Sequence, residues 1–132
     1  MSDENARRHG EVYAVLDRGD IDAFLALMDE DVEWTPRSME MEGSPYRGHA
    51  GLLRWREEWL RIFPDWTVEV ARVRDLGGTT LATLHLRGSG GESGTPVTQT
   101  IWHVAQWRDG KVVRLSAYES EAIALEAVGH RE

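Results

Sequence analysis

The sequence contains no cysteine among its 132 residues. This absence excludes disulfide bonds, thiol nucleophiles and zinc–thiolate sites, and it suits the reducing cytoplasm in which we expect the protein to be located. Basic residues are also scarce, because 15 lysines and arginines stand against 23 aspartates and glutamates, for a formal net charge of −8. Since phosphate binding needs a basic surface, we expect no nucleic-acid partner.

Long apolar runs are missing as well. No stretch approaches the roughly 20 apolar residues that a membrane-spanning helix needs, and the polar opening segment MSDENARRHGEVY is unlike a secretory signal. We therefore expect no membrane partner. The chain is long enough to bury a core without covalent staples, so we expect a single domain over residues 1–132.

Tryptophan, in contrast, is abundant. The six tryptophans fall in predicted helices and strands alike: Trp34, Trp55, Trp59, Trp66, Trp102 and Trp107. The plain interpretation is that they are ordinary core and interface rings. The alternative is that several of them line an apolar pocket.

The first half of the chain has the apolar spacing of helices. It predicts helices over about residues 5–18, 21–28 and 48–63. Asp20 is expected to cap the second helix, and Pro64 to end the third. The buried stripe of the third helix is predicted to hold Leu52, Trp55, Trp59, Ile62 and Phe63.

Between these helices we predict one short strand. The acidic segment 29–31 is expected to end the second helix. Val32 and Trp34 then share one face of a strand that stops before Pro36, because proline cannot extend a ladder of hydrogen bonds. Residues 37–45 are predicted to form a loop.

After Pro64 the apolar period changes to two, which predicts antiparallel strands and an α+β fold. Gly77-Gly78 and Asp109-Gly110 are predicted to be turns, the second within a tight hairpin. Alternation along the strand before that hairpin separates two faces. One face holds Ile101, His103, Ala105 and Trp107, and the other holds Trp102, Val104 and Gln106.

Five segments in this order resemble the SnoaL-like branch of the nuclear transport factor 2 superfamily. They are RGDIDAF from Arg18, DVEW from Asp31, YRGHAGL from Tyr46, DGKVVR from Asp109 and EAIALEAVG from Glu121. The resemblance implies a cone-shaped α+β barrel. In it a strongly curved, mixed but mainly antiparallel sheet wraps around three N-terminal helices, a short C-terminal helix follows, and an apolar cavity opens at one end.

The resemblance does not imply one reaction, because the superfamily includes cyclases, isomerases, hydrolases, dehydratases and transport factors. Ketosteroid isomerases have an aspartate base after the second helix, where this chain has Trp34-Thr35. Limonene epoxide hydrolases have acids on two strands, where the expected inward positions here are Leu84, Leu86 and Ala117. We therefore expect neither of these two activities.

His103 is the candidate catalytic residue, because the resemblance selects its face of the strand as the inward one and an imidazole transfers protons near neutral pH. The candidate binding residues around it are Trp34, Tyr46, Trp55, Trp59, Ile101, Trp107, Tyr118 and Glu119. Several of these residues have a plainer alternative. His103 is then a satisfied core histidine, Glu119 a solvated strand end, and Tyr46, like His49, a residue that docks the third helix.

Other apparent motifs carry little weight. The segment RGSGGESG from Arg87 lacks the lysine, the serine and the helix of a phosphate loop. The acidic segment 29–31 lacks the alternating oxygen ligands of a calcium loop. No histidines have the spacing of metal ligands on a helix. We therefore expect no metal and no organic cofactor.

Three hypotheses remain open. The chain is a cofactor-independent enzyme of the cyclase, isomerase or hydrolase type, in which His103 transfers a proton on a small hydrophobic molecule. Alternatively, it binds such a molecule without catalysis, or it is an interaction module. The convex face with Trp102 and Val104 predicts a homodimer. If His103 is buried without a carboxylate such as Glu119, its pKa is expected to be depressed.

Overall fold

The computed structural model describes residues 2–36, 45–90 and 94–129. The helices are α1 (Ser2–Asp17), α2 (Ile21–Ala26), α3 (Gly48–Ile62) and α4 (Glu121–Ala127). The strands are β1 (Met28–Thr35), β2 (Tyr46–Arg47), β3 (Thr67–Asp75), β4 (Thr79–Gly90), β5 (Thr95–Arg108) and β6 (Lys111–Tyr118). Most of the predicted loop 37–45 lies outside the described residues. Within the described ranges, no helix is both long and apolar enough to cross a bilayer.

Polar side chains mark the starts of two helices. The carboxylate of Asp20 accepts a hydrogen bond from the amide of Ala23 at 3.2 Å, which confirms the predicted cap of α2. Ser120 plays the same role for α4, where its hydroxyl accepts from the amide of Ile123 at 3.1 Å. These caps satisfy amides that have no partner inside the helix, so they fix where each helix begins.

The second helix is shorter than predicted. Met28 and the acidic segment 29–31 lie in β1 rather than at the end of α2, so that part of the prediction is wrong. Met28 is fully buried and pairs with Val112 of β6. The amide of Val112 donates a hydrogen bond to the carbonyl of Leu27 at 2.9 Å. Pairing with a strand far along the chain therefore overrides the local helical spacing.

The strands form one sheet in the order β2-β1-β6-β5-β4-β3. β1 and β6 are parallel, and the other neighbouring strands are antiparallel. Register shifts interrupt the pairing of β1 with β6, β3 with β4 and β5 with β6. Such bulges bend strands and increase their twist, so the sheet curves around the helices. The α+β cone is confirmed, although the sheet does not close into a full barrel.

The Asp109-Gly110 turn joins β5 to β6, as predicted. Both residues have positive φ angles, 53° and 78°, which is the backbone conformation that a two-residue hairpin favours. The resulting register sets His103 opposite Ala117 of β6 and Ala82 of β4. The turn therefore helps to decide which side chains of β5 face the helices.

The main core lies between the helices and the concave face of the sheet. It includes Val12 and Val15 of α1, Leu52 of α3, and Ala82, Leu84, Ile101, Ala105, Leu115 and Ala117 of the sheet. The buried stripe of α3 is narrower than predicted, because Ile62 is 54% exposed. α3 packs on β1 and β2 at one edge of the sheet.

A second, smaller cluster lies on the convex face, where α4 covers part of the sheet. It consists of Leu81, Val104, Ala124 and Leu125. Val104 is only 4% exposed, so the apolar surface from which we predict a homodimer is partly covered by the chain itself. Tyr118 packs on this cluster opposite Trp102. This corrects the prediction that Tyr118 lines the pocket, since its strand register turns it to the convex face.

Candidate functional site

A chain of buried hydrogen bonds joins α1 to the concave face of the sheet. The hydroxyl oxygen of Tyr13 lies 2.8 Å from Nε2 of His9 and 2.9 Å from Nδ1 of His103. On the other side of His9, Nδ1 lies 2.7 Å from Oγ1 of Thr80. Thr80 in turn accepts a hydrogen bond from the indole N–H of Trp107 at 2.8 Å. We call these five residues the buried network.

Helical and strand spacing bring the network together. His9 and Tyr13 are four residues apart on α1, so they lie on one face of the helix. Alternation along β5 turns His103 and Trp107 to the concave face, as predicted. His103 is flanked on the two neighbouring strands by alanines, Ala82 and Ala117. Because these side chains are single methyl groups, they leave room above the sheet for the imidazole and the phenol.

His103 is 7% exposed, and its Nε2 atom is buried without a hydrogen-bond partner in the described part of the chain. The indole nitrogens of Trp34 and Trp59 share this property. Buried polar groups in folded proteins are nearly always bonded, so each exception calls for an explanation. The ring of Trp34 meets that of His103 edge to face, with centroids 5.1 Å apart.

A row of aromatic rings runs from His103 toward the end of α3. The centroid distances are 5.1 Å from His103 to Trp34, 5.2 Å from Trp34 to Trp55, and 5.7 Å from Trp55 to Trp59. The last two rings are stacked, with an interplanar angle of 16°. In this row Trp34 contacts His103, and Trp55 and Trp59 continue the row along α3. That these tryptophans share a ligand cavity with His103 stays a prediction.

The row ends at a cleft of about 200 Å³ between the end of α3 and strands β4 and β5. Its lining residues are Trp59, Phe63, Trp66, Leu86, Arg87, Gly88, Val97 and Gln99. Trp59 lies at the centre of the aromatic wall. The centroid of its ring lies 4.8 Å from that of Phe63 and 6.0 Å from that of Trp66. The walls of the cleft are therefore mainly aromatic and apolar.

Burial keeps the network uncharged. It lowers the pKa of His103 to about 3, which confirms the predicted depression. It also lowers the pKa of His9 to about 3, with a smaller contribution from the nearby His103. The pKa of Tyr13 is raised well above its usual value by the same desolvation. Near neutral pH both imidazoles and the phenol are therefore uncharged, and they are joined by hydrogen bonds between neutral groups.

The remaining predicted site residues lie in different environments and do not form one site. Ile101 is buried in the main core on the concave side, and Trp107 is occupied in the buried network. Tyr46 donates its hydroxyl to Glu58 at 2.6 Å, which is the alternative role of docking α3. Glu119 follows the end of β6 and is exposed. The sequence left open whether a carboxylate such as Glu119 reaches His103; burial is the cause of the histidine's lowered pKa.

Three members of the network were not predicted: His9, Tyr13 and Thr80. A signal for the first two exists, because His9, Val12 and Tyr13 have the spacing of one helical stripe. A histidine and a tyrosine on an otherwise apolar stripe indicate buried polar groups that need partners. Thr80 gives no such signal, since a threonine in a strand is an ordinary choice.

The network is not arranged as a metal centre. Tyr13 stands between the two imidazoles and bonds both of them. In the described ranges, no three histidines, cysteines or carboxylates are grouped closely enough to hold a metal ion. The expectation that the protein uses no metal or organic cofactor stays a prediction.

Comparison with known proteins identifies the fold. A family model described as "SnoaL-like domain" matches residues 10–115, a span that includes Tyr13, Thr80 and His103. No curated protein matches the chain.

Solved structures share the fold over nearly the whole chain. An NTF2-like protein of unknown function from Burkholderia pseudomallei has 20% identity and a TM-score of 0.78, over 96% of this chain and 97% of its own. TerC, co-crystallised with polyporic acid, has 22% identity and a TM-score of 0.77, over 96% and 98%. A ketosteroid isomerase-like protein from Kribbella flavida has 20% identity and a TM-score of 0.72, over 91% and 80%. At these identities the likeness concerns the fold alone.

Proposed function

This chain belongs to the SnoaL-like domain family, and from that premise we propose that it binds a small hydrophobic molecule on the concave side of its sheet. A polar group of the ligand meets Nε2 of His103. The observation that carries the proposal is that this nitrogen is buried without a partner beside the ring of Trp34. A ligand atom at that point removes the cost of an unsatisfied buried polar group.

The aromatic row supports a flat, apolar ligand. Trp34, Trp55 and Trp59 offer ring faces and edges between His103 and the cleft. Binding sites for small molecules are typically apolar and aromatic, with a few polar groups that set orientation. Among structures of this fold, TerC was co-crystallised with polyporic acid, which supports a small-molecule role for the scaffold without naming a ligand for this chain.

For catalysis, the proposal is a cofactor-independent isomerase- or cyclase-type reaction in which neutral His103 stabilises charge on a substrate oxygen. A hydrogen bond from a preorganised neutral group to a developing oxyanion is an effective form of stabilisation. The ring of His103 bonds Tyr13 and contacts Trp34, and burial alone accounts for its lowered pKa. Within the described residues no carboxylate contributes to that pKa, and this favours the alternative candidate, a protein that binds the molecule without turnover.

Two further parts of the proposal concern location and assembly. We place the protein in the cytoplasm, because a chain without cysteine suits a reducing compartment. We also retain the homodimer through the convex face, now limited to the area around Trp102 that α4 leaves accessible. Trp102 is half-buried, whereas Val104 is covered.

The binding proposal is tested with two probes of similar shape, 2-acetylnaphthalene and the hydrocarbon 2-isopropenylnaphthalene, in which a methylene group replaces the carbonyl oxygen. Quenching of tryptophan fluorescence reports their dissociation constants. The protein should prefer the ketone by about fivefold, because a net hydrogen bond contributes roughly 1 kcal/mol. His103→Phe should abolish that preference.

The matched control is His85→Phe on β4. His85 bonds Thr100 at 3.0 Å on the convex face, so this variant should keep the preference for the ketone. Cooperative unfolding of both variants shows that they are folded. Equal affinities of the unmodified protein for the two probes, or a ketone preference that survives in His103→Phe, would contradict the proposal.

A further inference from the structure

The hydrogen bonds of the buried network can run in two opposite donor-to-acceptor directions, because a neutral imidazole donates from one nitrogen and accepts at the other. In the first direction Thr80 donates to His9, His9 to Tyr13, and Tyr13 to His103. In the second direction every one of these bonds is reversed. The two directions leave opposite groups at Nε2 of His103: an N–H in the first and a lone pair in the second.

Tyr13 cannot decide between the two directions. Its hydroxyl lies at similar distances from Nε2 of His9 and Nδ1 of His103, 2.8 and 2.9 Å. It donates to one nitrogen and accepts from the other in either case. The preferred direction of the hydrogen bonds must therefore be set at the end of the network that is remote from His103.

Thr80 supplies that decision. Its oxygen accepts from the indole of Trp107, which is a donor only. Thr80 is fully buried, and the acceptor that the described structure offers to its hydroxyl proton is Nδ1 of His9. In the second direction His9 would donate to Thr80, and the threonine proton would be buried without an acceptor. That direction would also leave the Nε2 lone pair of His103 without a partner, whereas the first direction leaves a single network group unsatisfied within the described residues, the Nε2 N–H of His103. Because each unsatisfied buried polar group is costly, the first direction is favoured.

We infer that the hydroxyl of Thr80 sets the direction of the whole network, so that His103 presents an N–H donor on the concave side. The ligand group that meets it is therefore an acceptor oxygen, such as that of a carbonyl or an enolate. Thr80 is a positioning residue, since it acts on His103 only through His9 and Tyr13. The statement about the ligand rests on the proposed function, whereas the statement about the imidazole does not.

The other unpartnered buried nitrogens agree with this direction. The indole nitrogens of Trp34 and Trp59 are donors by their chemistry. Within the described ranges, the buried side-chain polar atoms that lack a partner are then all N–H groups. A molecule with acceptor oxygens satisfies them, whereas an ammonium group, which has donors only, does not.

The direct test reads the protonated nitrogen of each histidine by long-range proton–nitrogen correlation NMR on isotope-labelled protein without ligand. In this spectrum the two ring nitrogens of a neutral imidazole give distinct signals for N–H and lone pair. The inference expects N–H at Nε2 and a lone pair at Nδ1 for both His9 and His103. A proton on Nδ1 of His103 would overturn it.

Thr80→Val tests the role of the hydroxyl, because valine has a similar shape and neither donates nor accepts. The variant should give His103 a mixture of both tautomers, although Thr80 is three hydrogen bonds away from that ring. Thr80→Ser, which keeps the hydroxyl, should restore the single tautomer. An unchanged single tautomer in Thr80→Val would overturn the role of Thr80. If that variant does not fold, the spectra of the unmodified protein and of Thr80→Ser still decide the direction.

Failure of this inference can be told apart from failure of the proposed function. A single Nε2–H tautomer without any binding of 2-acetylnaphthalene supports the inferred direction and counts against the binding proposal. Ketone-selective binding together with a proton on Nδ1 of His103 does the reverse. Where both hold, Thr80→Val should lose about half of the ketone preference, because roughly half of its molecules present no donor.

Discussion

His9 and His103 are held without charge in a protein whose formal net charge is −8. An acidic protein normally favours the protonated form of a histidine, because negative charges attract the cation. Here desolvation prevails, since both rings are enclosed between α1 and the sheet. The neutral rings can therefore serve as hydrogen-bonding groups over a wide range of pH.

This neutrality predicts how stability depends on pH. Unfolded histidines have a pKa of about 6.5, whereas the folded pKa of His9 and of His103 is about 3. As the pH falls from about 6.5 toward about 3, the unfolded chain binds protons that the folded chain does not. The free energy of unfolding should therefore decrease, by up to roughly 1.4 kcal/mol per pH unit for each histidine. Urea unfolding at a series of pH values measures this slope.

The variant His103→Asn isolates the contribution of one ring. The amide oxygen of asparagine can accept the proton of Tyr13, and the side chain does not titrate. The slope of unfolding free energy against pH should become shallower, whatever the overall loss of stability. Identical slopes for His103→Asn and the unmodified protein would show that the buried ring is not the source.

Single residues also show where sequence analysis of the site succeeds and where it stops. His103 and Trp34 were predicted to meet because strand alternation and the resemblance together select one face. His9 and Thr80 were not, because the network joins α1, β4 and β5, and no local pattern tells which polar side chains meet across three elements. The predicted pocket positions of Glu119 and Tyr118 failed for a related reason. Both residues lie at or just beyond the end of β6, where the register of a strand is hardest to predict from sequence.

At the scale of elements, local chemistry was a good guide where it acts alone. The Asp20 cap, the glycine turns and the Asp109-Gly110 hairpin all involve neighbouring residues. Met28 was misassigned because its position depends on pairing with Val112, which no local signal reveals. The covering of Val104 by α4 is likewise a contact between distant segments.

The packing of α4 on the convex face of the sheet gives a prediction for this helix. Leu125 is 7% exposed and packs against the convex face, whereas Ile123 on the same helix is 43% exposed. Leu125→Ala should lower the free energy of unfolding by about 2–4 kcal/mol, because it leaves a cavity against Leu81 and Val104. Ile123→Ala is the matched control and should change it by about 0.5 kcal/mol or less. Equal losses in chemical denaturation would show that α4 does not pack as described.

At the scale of the whole molecule, the fold class was predictable and the ligand was not. The order of helices and strands, with five short segments, was enough to predict the cone and its family. The same cone serves many functions, so the specific chemistry depends on a few side chains. Here we propose that those side chains are the buried network and the row of tryptophans that leads to the cleft.

The central claim is that a ligand oxygen bonds to His103 on the concave side. The most direct measurement is the infrared carbonyl stretch of isotope-labelled 2-acetylnaphthalene bound to the protein. A hydrogen bond weakens the carbonyl bond, so the stretch should lie at lower frequency in the unmodified protein than in His103→Phe, and His85→Phe should match the unmodified protein. A probe that binds with the same carbonyl frequency in the unmodified protein and in His103→Phe would contradict the claim.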